Sequence, residues 1–189
     1  MSQQAEQPKQ VAFYPGAGLD VAPFILFPEI ADWYCMDSQP WSEFGAKPGY
    51  ERPHFLARLD QVMGQIGMKK IEQPPDTNTD IVVFESEQQR VTYFINSVFP
   101  DALVRVPPAC NVLVACGFSL TDKAPDFLAK WPHIICNNRT HYADWVTEWK
   151  PEKISIIEWI DEDDIVLEIK NWTREFVQPR TRVVECLTP

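Results

Sequence analysis

Three pieces of one stretch decide the fold: Val11-Ala-Phe-Tyr-Pro15, then Gly16-Ala-Gly18-Leu-Asp20, and then, after a short apolar segment, Asp32-Trp-Tyr-Cys-Met-Asp37-Ser38. The first piece is a short, mostly apolar run that stops at Pro-Gly, the pattern of a buried strand. Gly16 and Gly18 supply positive φ or close backbone approach. Asp20 can cap a helix over 21–27, where Pro23 fits the first turn and Pro28 ends it. Residues 32–37 are the next strand. Strand, glycine turn, helix, strand and carboxylate place a main-chain-lined pocket and an acidic side chain at one edge of a parallel sheet. That edge is where α/β proteins bind nucleosides.

Working outward, residues 38–53 form a loop rich in aromatic side chains, with Trp41, Phe44 and Tyr50. Phe55, Leu59, Val62, Met63 and Ile66 repeat at helical spacing between Pro53 and Gly67. Residues 69–72 read as an edge strand. The runs 80–85 and 90–96, joined by Ser86 to Gln89, read as an antiparallel hairpin. Further strands fall at 111–116, 133–136 and 153–159, with helices at 121–130 and 143–149. The run 165–169 pairs with 153–159 across the acidic turn Asp161 to Asp164, and 182–187 can form one more strand.

With 189 residues, 45% hydrophobic and 23% charged, the chain has room for one full core. Residues 1–10, polar and rich in glutamine, are the expected disordered segment, and 11–189 the single domain. The absence of a long apolar run and of a basic-then-apolar leader points to a cytoplasmic protein with no membrane span. The net charge of −10 disfavours nonspecific nucleic-acid binding. Lys170, Arg174, Arg180 and Arg182 read as a solvated charged tail. The five cysteines are odd in number and irregularly spaced, as expected of reduced core residues. The three histidines lack ligand spacing, so no metal site is expected.

The first strand, Gly16-x-Gly18, and Asp37 lying 21 residues after Gly16, resemble the cofactor half of the class I S-adenosylmethionine-dependent methyltransferases. Strands alternating with helices and then a terminal hairpin indicate an α/β fold, a mainly parallel Rossmann-like sheet with helices on both faces and a C-terminal antiparallel hairpin that resembles the family's closing strands. The resemblance implies S-adenosylmethionine as cofactor, contacted by Gly16, Gly18 and Asp37, and methyl transfer to an acceptor the sequence does not name; Asp20 and Ser38, beside them in the chain, are further candidate contacts. The glycine turn would lie under the amino acid part of the cofactor, and Asp37 would accept hydrogen bonds from the ribose hydroxyls.

The residues fit that chemistry in their own right. A ribose diol offers two donors, and an ionised carboxylate offers only acceptors. Dinucleotide binding would want a third glycine at position 21, where Val21 stands, and Asp20 opposes a pyrophosphate at the helix start. A nucleoside-like, cationic or zwitterionic ligand suits the turn better. The plain alternative is a tight turn with Asp20 as an N-cap. The chain also departs from the family: Pro15 precedes the turn, the first helix is short, and the third glycine is missing.

Acceptor-side chemistry is sparse. No Gly-x-Ser-x-Gly, phosphate-loop lysine or His-Glu-x-x-His motif occurs. Trp41 is the candidate lid or partner contact. Cys116 ends a strand beside Gly117 at the expected site edge, or packs there as a small core residue. His141, with Asn137, Asn138 and Arg139, could orient a substrate, although loop polarity alone accounts for the cluster. Two readings stay open: a methyltransferase-like protein, and a noncatalytic module on a degenerate version of the same scaffold that binds a protein partner.

Overall fold

Val11–Pro15 carries five consecutive buried residues and forms β1, a strand covered on both faces. The structure, a computed structural model, describes residues 9–36, 52–72, 81–95, 109–115, 131–137, 151–159 and 181–187. In chain order the further elements are α1 (Ala22–Leu26), β2 (Asp32–Met36), α2 (Arg52–Gln65), β3 (Lys69–Lys70), β4 (Ile81–Glu85) and β5 (Arg90–Phe94). They are followed by β6 (Val112–Ala115), β7 (His133–Asn137), β8 (Lys153–Trp159) and β9 (Thr181–Leu187). The expected helices at 121–130 and 143–149, the loop 38–53 and the run 165–169 lie outside the described residues.

The nine strands form one sheet in the order β3-β4-β5-β2-β1-β6-β7-β8-β9. The central six, β5-β2-β1-β6-β7-β8, run parallel. Antiparallel strands close both flanks: β3 and β4 on one, β9 on the other. The fold is α/β, a mostly parallel mixed sheet. Numbered by appearance, the parallel strands follow the doubly wound order 3-2-1-4-5-6, which reverses between β1 and β6. The expected hairpin at 80–96 is present, with Ile81 opposite Phe94 and Glu85 opposite Arg90. Its turn is fixed by Ser86, whose amide donates to the Gln89 carbonyl at 2.9 Å. The Ser86 hydroxyl accepts from the amides of Gln88 and Gln89.

The closing strand pair differs from the one expected. β7 pairs one edge of β8 and β9 pairs the other, with Lys153 opposite Leu187 and Trp159 opposite Thr181. The run 165–169 is therefore not the partner of 153–159; the C-terminal strand takes that edge. Arg182, expected in a solvated tail, sits on β9 and donates to Glu158 across the pair at 2.7 Å.

Registers sort the core into two faces. Ala12, Tyr14, Trp33, Cys35, Val91, Tyr93, Val112, Val114, Ile135 and Ile157 share one face. Both described helices pack there, through Val21, Phe24 and Phe27 at α1 and Phe55, Leu59, Val62 and Met63 of α2. On the other face Phe13, Leu113, Ile134 and Cys136 are fully buried as well. Trp131 stacks on Phe13 there, with ring centroids 6.0 Å apart. Trp33 is fully buried, meets Phe24 edge-on at 4.9 Å, and donates its indole N–H to the Ile30 carbonyl.

No helix among the described residues is long and apolar enough to cross a membrane. Cys35 and Cys136 are buried and Cys110 is half-buried, all three outside any disulfide.

Candidate functional site at the glycine turn

β1 ends at Pro15 and the chain bends at once. Gly16 has φ of 66° and Gly18 of 52°, left-handed values that disfavour any side chain. Glycine is thus a conformational requirement at both positions. The Gly16 amide donates to the Met36 carbonyl at 2.7 Å, and the Ala17 amide donates to the same oxygen at 3.2 Å. The first half of the turn is in this way tied to the end of β2, at the residue that immediately precedes Asp37. The second half is open. A Cβ built on Gly18 would meet nothing within 4 Å. Among the described residues, the amides of Gly18 and Leu19 meet no acceptor.

Asp20 closes the turn, and its amide donates to the Ala17 carbonyl at 3.0 Å. One carboxylate oxygen accepts the Tyr14 hydroxyl at 2.7 Å, and the other accepts the Ala22 amide at 3.1 Å. Asp20 therefore serves the start of α1, as expected, from one residue ahead of the N-cap Val21. The same bonds fix its negative charge beside the turn. A second hydroxyl arrives from β5: Tyr93 donates to the Gly18 carbonyl at 3.3 Å.

Of the sequence-derived site residues, Gly16, Gly18 and Asp20 are gathered in this turn, at the C-terminal end of β1 where the strand order reverses. Asp37, Ser38, Trp41, Cys116 and His141 lie outside the described residues. Sequence reasoning missed Tyr14 and Tyr93. Each is the penultimate residue of its strand, a buried position with a polar tip aimed past the strand end, and that pattern was the available signal.

Of the other reactive groups among the described residues, Cys35 lies beneath the turn between Tyr14 and Tyr93, and Cys110 and His133 lie elsewhere. The Cys35 thiol is pushed well up by burial, against a smaller opposing effect of the Tyr93 hydroxyl. Cys110 is pushed up to about 12, by burial first and then by the charge of Asp32. Neither is a thiolate nucleophile near neutral pH. His133 opens β7, so it sits at the opposite rim of the parallel strands from the turn. Its Nε2 meets the Ser155 hydroxyl at 2.8 Å. Its pKa is lowered to about 4, by burial first and then by Lys153, with Glu185 opposing. No group of three or more metal-ligating side chains occurs among the described residues.

A cavity of about 680 Å³ also opens at that far rim, lined by Phe24, Pro28, Ile66, Met68, Glu85 and Gln89 among others. It is remote from the glycine turn and from the strand-order reversal. The turn is the better candidate because topology, open amides and a fixed carboxylate coincide there.

No protein-family model matches the chain. No curated protein matches it either. Among solved structures, the chain is similar to a protein of Pyrococcus horikoshii described as a "putative RNA methyltransferase", at 10% identity and a TM-score of 0.26. That likeness covers 94% of this chain and 72% of the other. The fold assignment rests on the strand order and registers above and takes nothing from it.

Proposed function

We propose that the chain binds a nucleoside-type ligand, S-adenosylmethionine or a close relative, over the glycine turn at the C-terminal ends of β1 and β2. One observation carries the reading: the amides of Gly16 and Ala17 share the Met36 carbonyl, so the turn is fastened to the residue just before Asp37. The reading puts a main-chain cradle and the candidate ribose acceptor at the same rim, where the sheet order reverses.

The turn suits such a ligand in two respects. Gly18 leaves space on its Cβ side, and the Gly18 and Leu19 amides are available as donors to an α-carboxylate. Asp20, fixed by Tyr14 and the Ala22 amide, sets a negative charge where a pyrophosphate would otherwise approach. That charge favours a cationic or zwitterionic ligand over a dinucleotide. S-adenosylmethionine, when bound, supplies a methyl group on a sulfonium. In this reading Gly16 shapes the cradle, Gly18 admits the ligand's amino acid part, Asp20 complements its positive charge, and Asp37 with Ser38 takes the ribose hydroxyls. Trp41, Cys116 and His141 are the candidates for the acceptor side.

Calorimetric titration of the full chain with S-adenosylmethionine and S-adenosylhomocysteine tests the proposal. Micromolar binding that Asp37→Ala abolishes is the expected result. Absence of heat with both ligands refutes it.

The alternative, a noncatalytic module on the same scaffold, needs no ligand at the turn. Two of the turn's leading amides are spent on the Met36 carbonyl, so part of the cradle satisfies the chain's own backbone. A turn serving only to connect β1 with α1 would look the same there. The titration separates the two readings.

A further inference from the structure

We infer that Tyr14 and Tyr93 are positioning residues for the candidate site, holding the open half of the glycine turn from beneath. The inference rests on the turn receiving a ligand, as proposed above. It goes further by assigning the turn's shape to two side chains that lie in the core.

Tyr14, Cys35 and Tyr93 stand side by side across β1, β2 and β5, in register and on one face. Each is the penultimate residue of its strand. All three are fully buried. A buried tyrosine needs a partner for its hydroxyl. Tyr14 finds one in the Asp20 carboxylate at 2.7 Å, and Tyr93 in the Gly18 carbonyl at 3.3 Å. The two acceptors lie two residues apart in the turn. They bracket Leu19, whose amide, like that of Gly18, faces no acceptor among the described residues.

The geometry has a direct consequence. A residue's carbonyl and the next residue's N–H share one trans peptide plane and point in opposite directions. Fixing the Gly18 carbonyl toward Tyr93 therefore aims the Leu19 amide the opposite way, out of the core. Fixing the Asp20 carboxylate toward Tyr14 keeps its charge at the turn instead of letting the side chain swing into solvent. Without the hydroxyls the Gly18–Leu19 segment keeps, of the bonds named above, only that of the Asp20 amide to the Ala17 carbonyl, and the Asp20 carboxylate keeps only the Ala22 amide. With them, donor and charge are preset before any ligand arrives, and preorganisation of this kind shows as affinity.

The test uses the full chain, with S-adenosylhomocysteine as the probe, and compares Tyr14→Phe and Tyr93→Phe with Val83→Ala. Val83 is buried on the opposite face of the sheet and serves as a control for lost stability alone. The expected result is about tenfold weaker binding in each phenylalanine variant, the equivalent of one hydrogen bond, with unchanged affinity in the control. Equal affinity in all four proteins overturns the inference, as does a control that weakens as much as the phenylalanine variants. Amide exchange of Asp20 in the ligand-free protein separates this inference from the reading beneath it. If the natural protein does not bind the probe, the ligand reading falls. Faster Asp20 exchange in the two variants then still supports the tyrosines as supports of the turn, and unchanged exchange overturns that as well.

Discussion

Replacing His133 by glutamine should remove about 2 kcal/mol of the stability that this fold loses between about pH 7 and about pH 5. His133 is 7% exposed, its Nε2 meets the Ser155 hydroxyl at 2.8 Å, and the Phe27 ring lies edge-on to it at 6.4 Å. Lys153, opposite it in the register, and Glu185 are the charged groups whose fields reach it. Burial and Lys153 lower its pKa from 6.5 to about 4. The folded protein therefore keeps the ring neutral over a range in which the unfolded chain protonates it. Stability must fall as pH drops from the unfolded value toward the folded one. The whole shift corresponds to roughly 3 kcal/mol, of which about 2 kcal/mol is lost between pH 7 and pH 5. Glu185 is held below its usual value by its hydrogen bond and ion pair with Lys153, so its acid-side loss begins as pH falls through the ordinary carboxylate value, at the lower edge of this window, and continues below it. Urea unfolding of the natural protein and of His133→Gln at both pH values gives the difference directly, because every other titrating group is common to the two. Glutamine can still reach Ser155 from the atom that replaces Nε2. If both proteins lose the same stability between the two pH values, the account of His133 as a neutral buried ring is wrong.

Gln89→Leu should cost about 1–2 kcal/mol, measured by chemical denaturation, because two buried hydrogen bonds from its side-chain amide are lost while the Phe27 carbonyl keeps the Ile30 amide and the Ile30 carbonyl keeps the Trp33 indole. Gly18→Ala should cost about 1–2 kcal/mol from its φ of 52° alone, with no added clash, since nothing lies within 4 Å of the new methyl group; a much larger loss would mean the space there is filled. Lys70→Ala should change stability by less than about 0.5 kcal/mol, since its 3.0 Å pair with Asp60 joins two half-exposed side chains.

Strand positions were legible because covered parallel strands are continuous apolar runs. Val-Ala-Phe-Tyr, Val-Leu-Val-Ala and His-Ile-Ile-Cys could hardly be anything else in a chain punctuated by Pro and Gly. The hairpin at 81–94 was legible because its connection is short, and a short connection leaves only the antiparallel neighbour. The partner of β8 was misassigned for the converse reason. A nearby apolar run across an acidic turn is the local solution, yet the free edge of β8 was filled by 181–187, a pairing that no local pattern encodes. Sequence patterns report which residues want burial. Which strand meets which edge is settled by competition across the whole sheet.

The candidate site divides along the same line. Gly16, Gly18 and Asp20 were legible because each has a local reason to be there: two left-handed backbone positions and a carboxylate ahead of a helix. Tyr14 and Tyr93 were hidden because their reason is not local. They are separated by 79 positions in the chain, and only the parallel registers of β1 and β5 with β2 bring both hydroxyls under one turn. The bonds of Gly16 and Ala17 to the Met36 carbonyl belong to the same class, since main-chain partners leave no mark on residue identity. The turn is thus written in the sequence as a set of permissions, and the core beneath it determines which permitted shape is held. That division explains why both functional readings survive the glycines, and why the conformation of two amides, Gly18 and Leu19, is what separates a binding cradle from a simple bend.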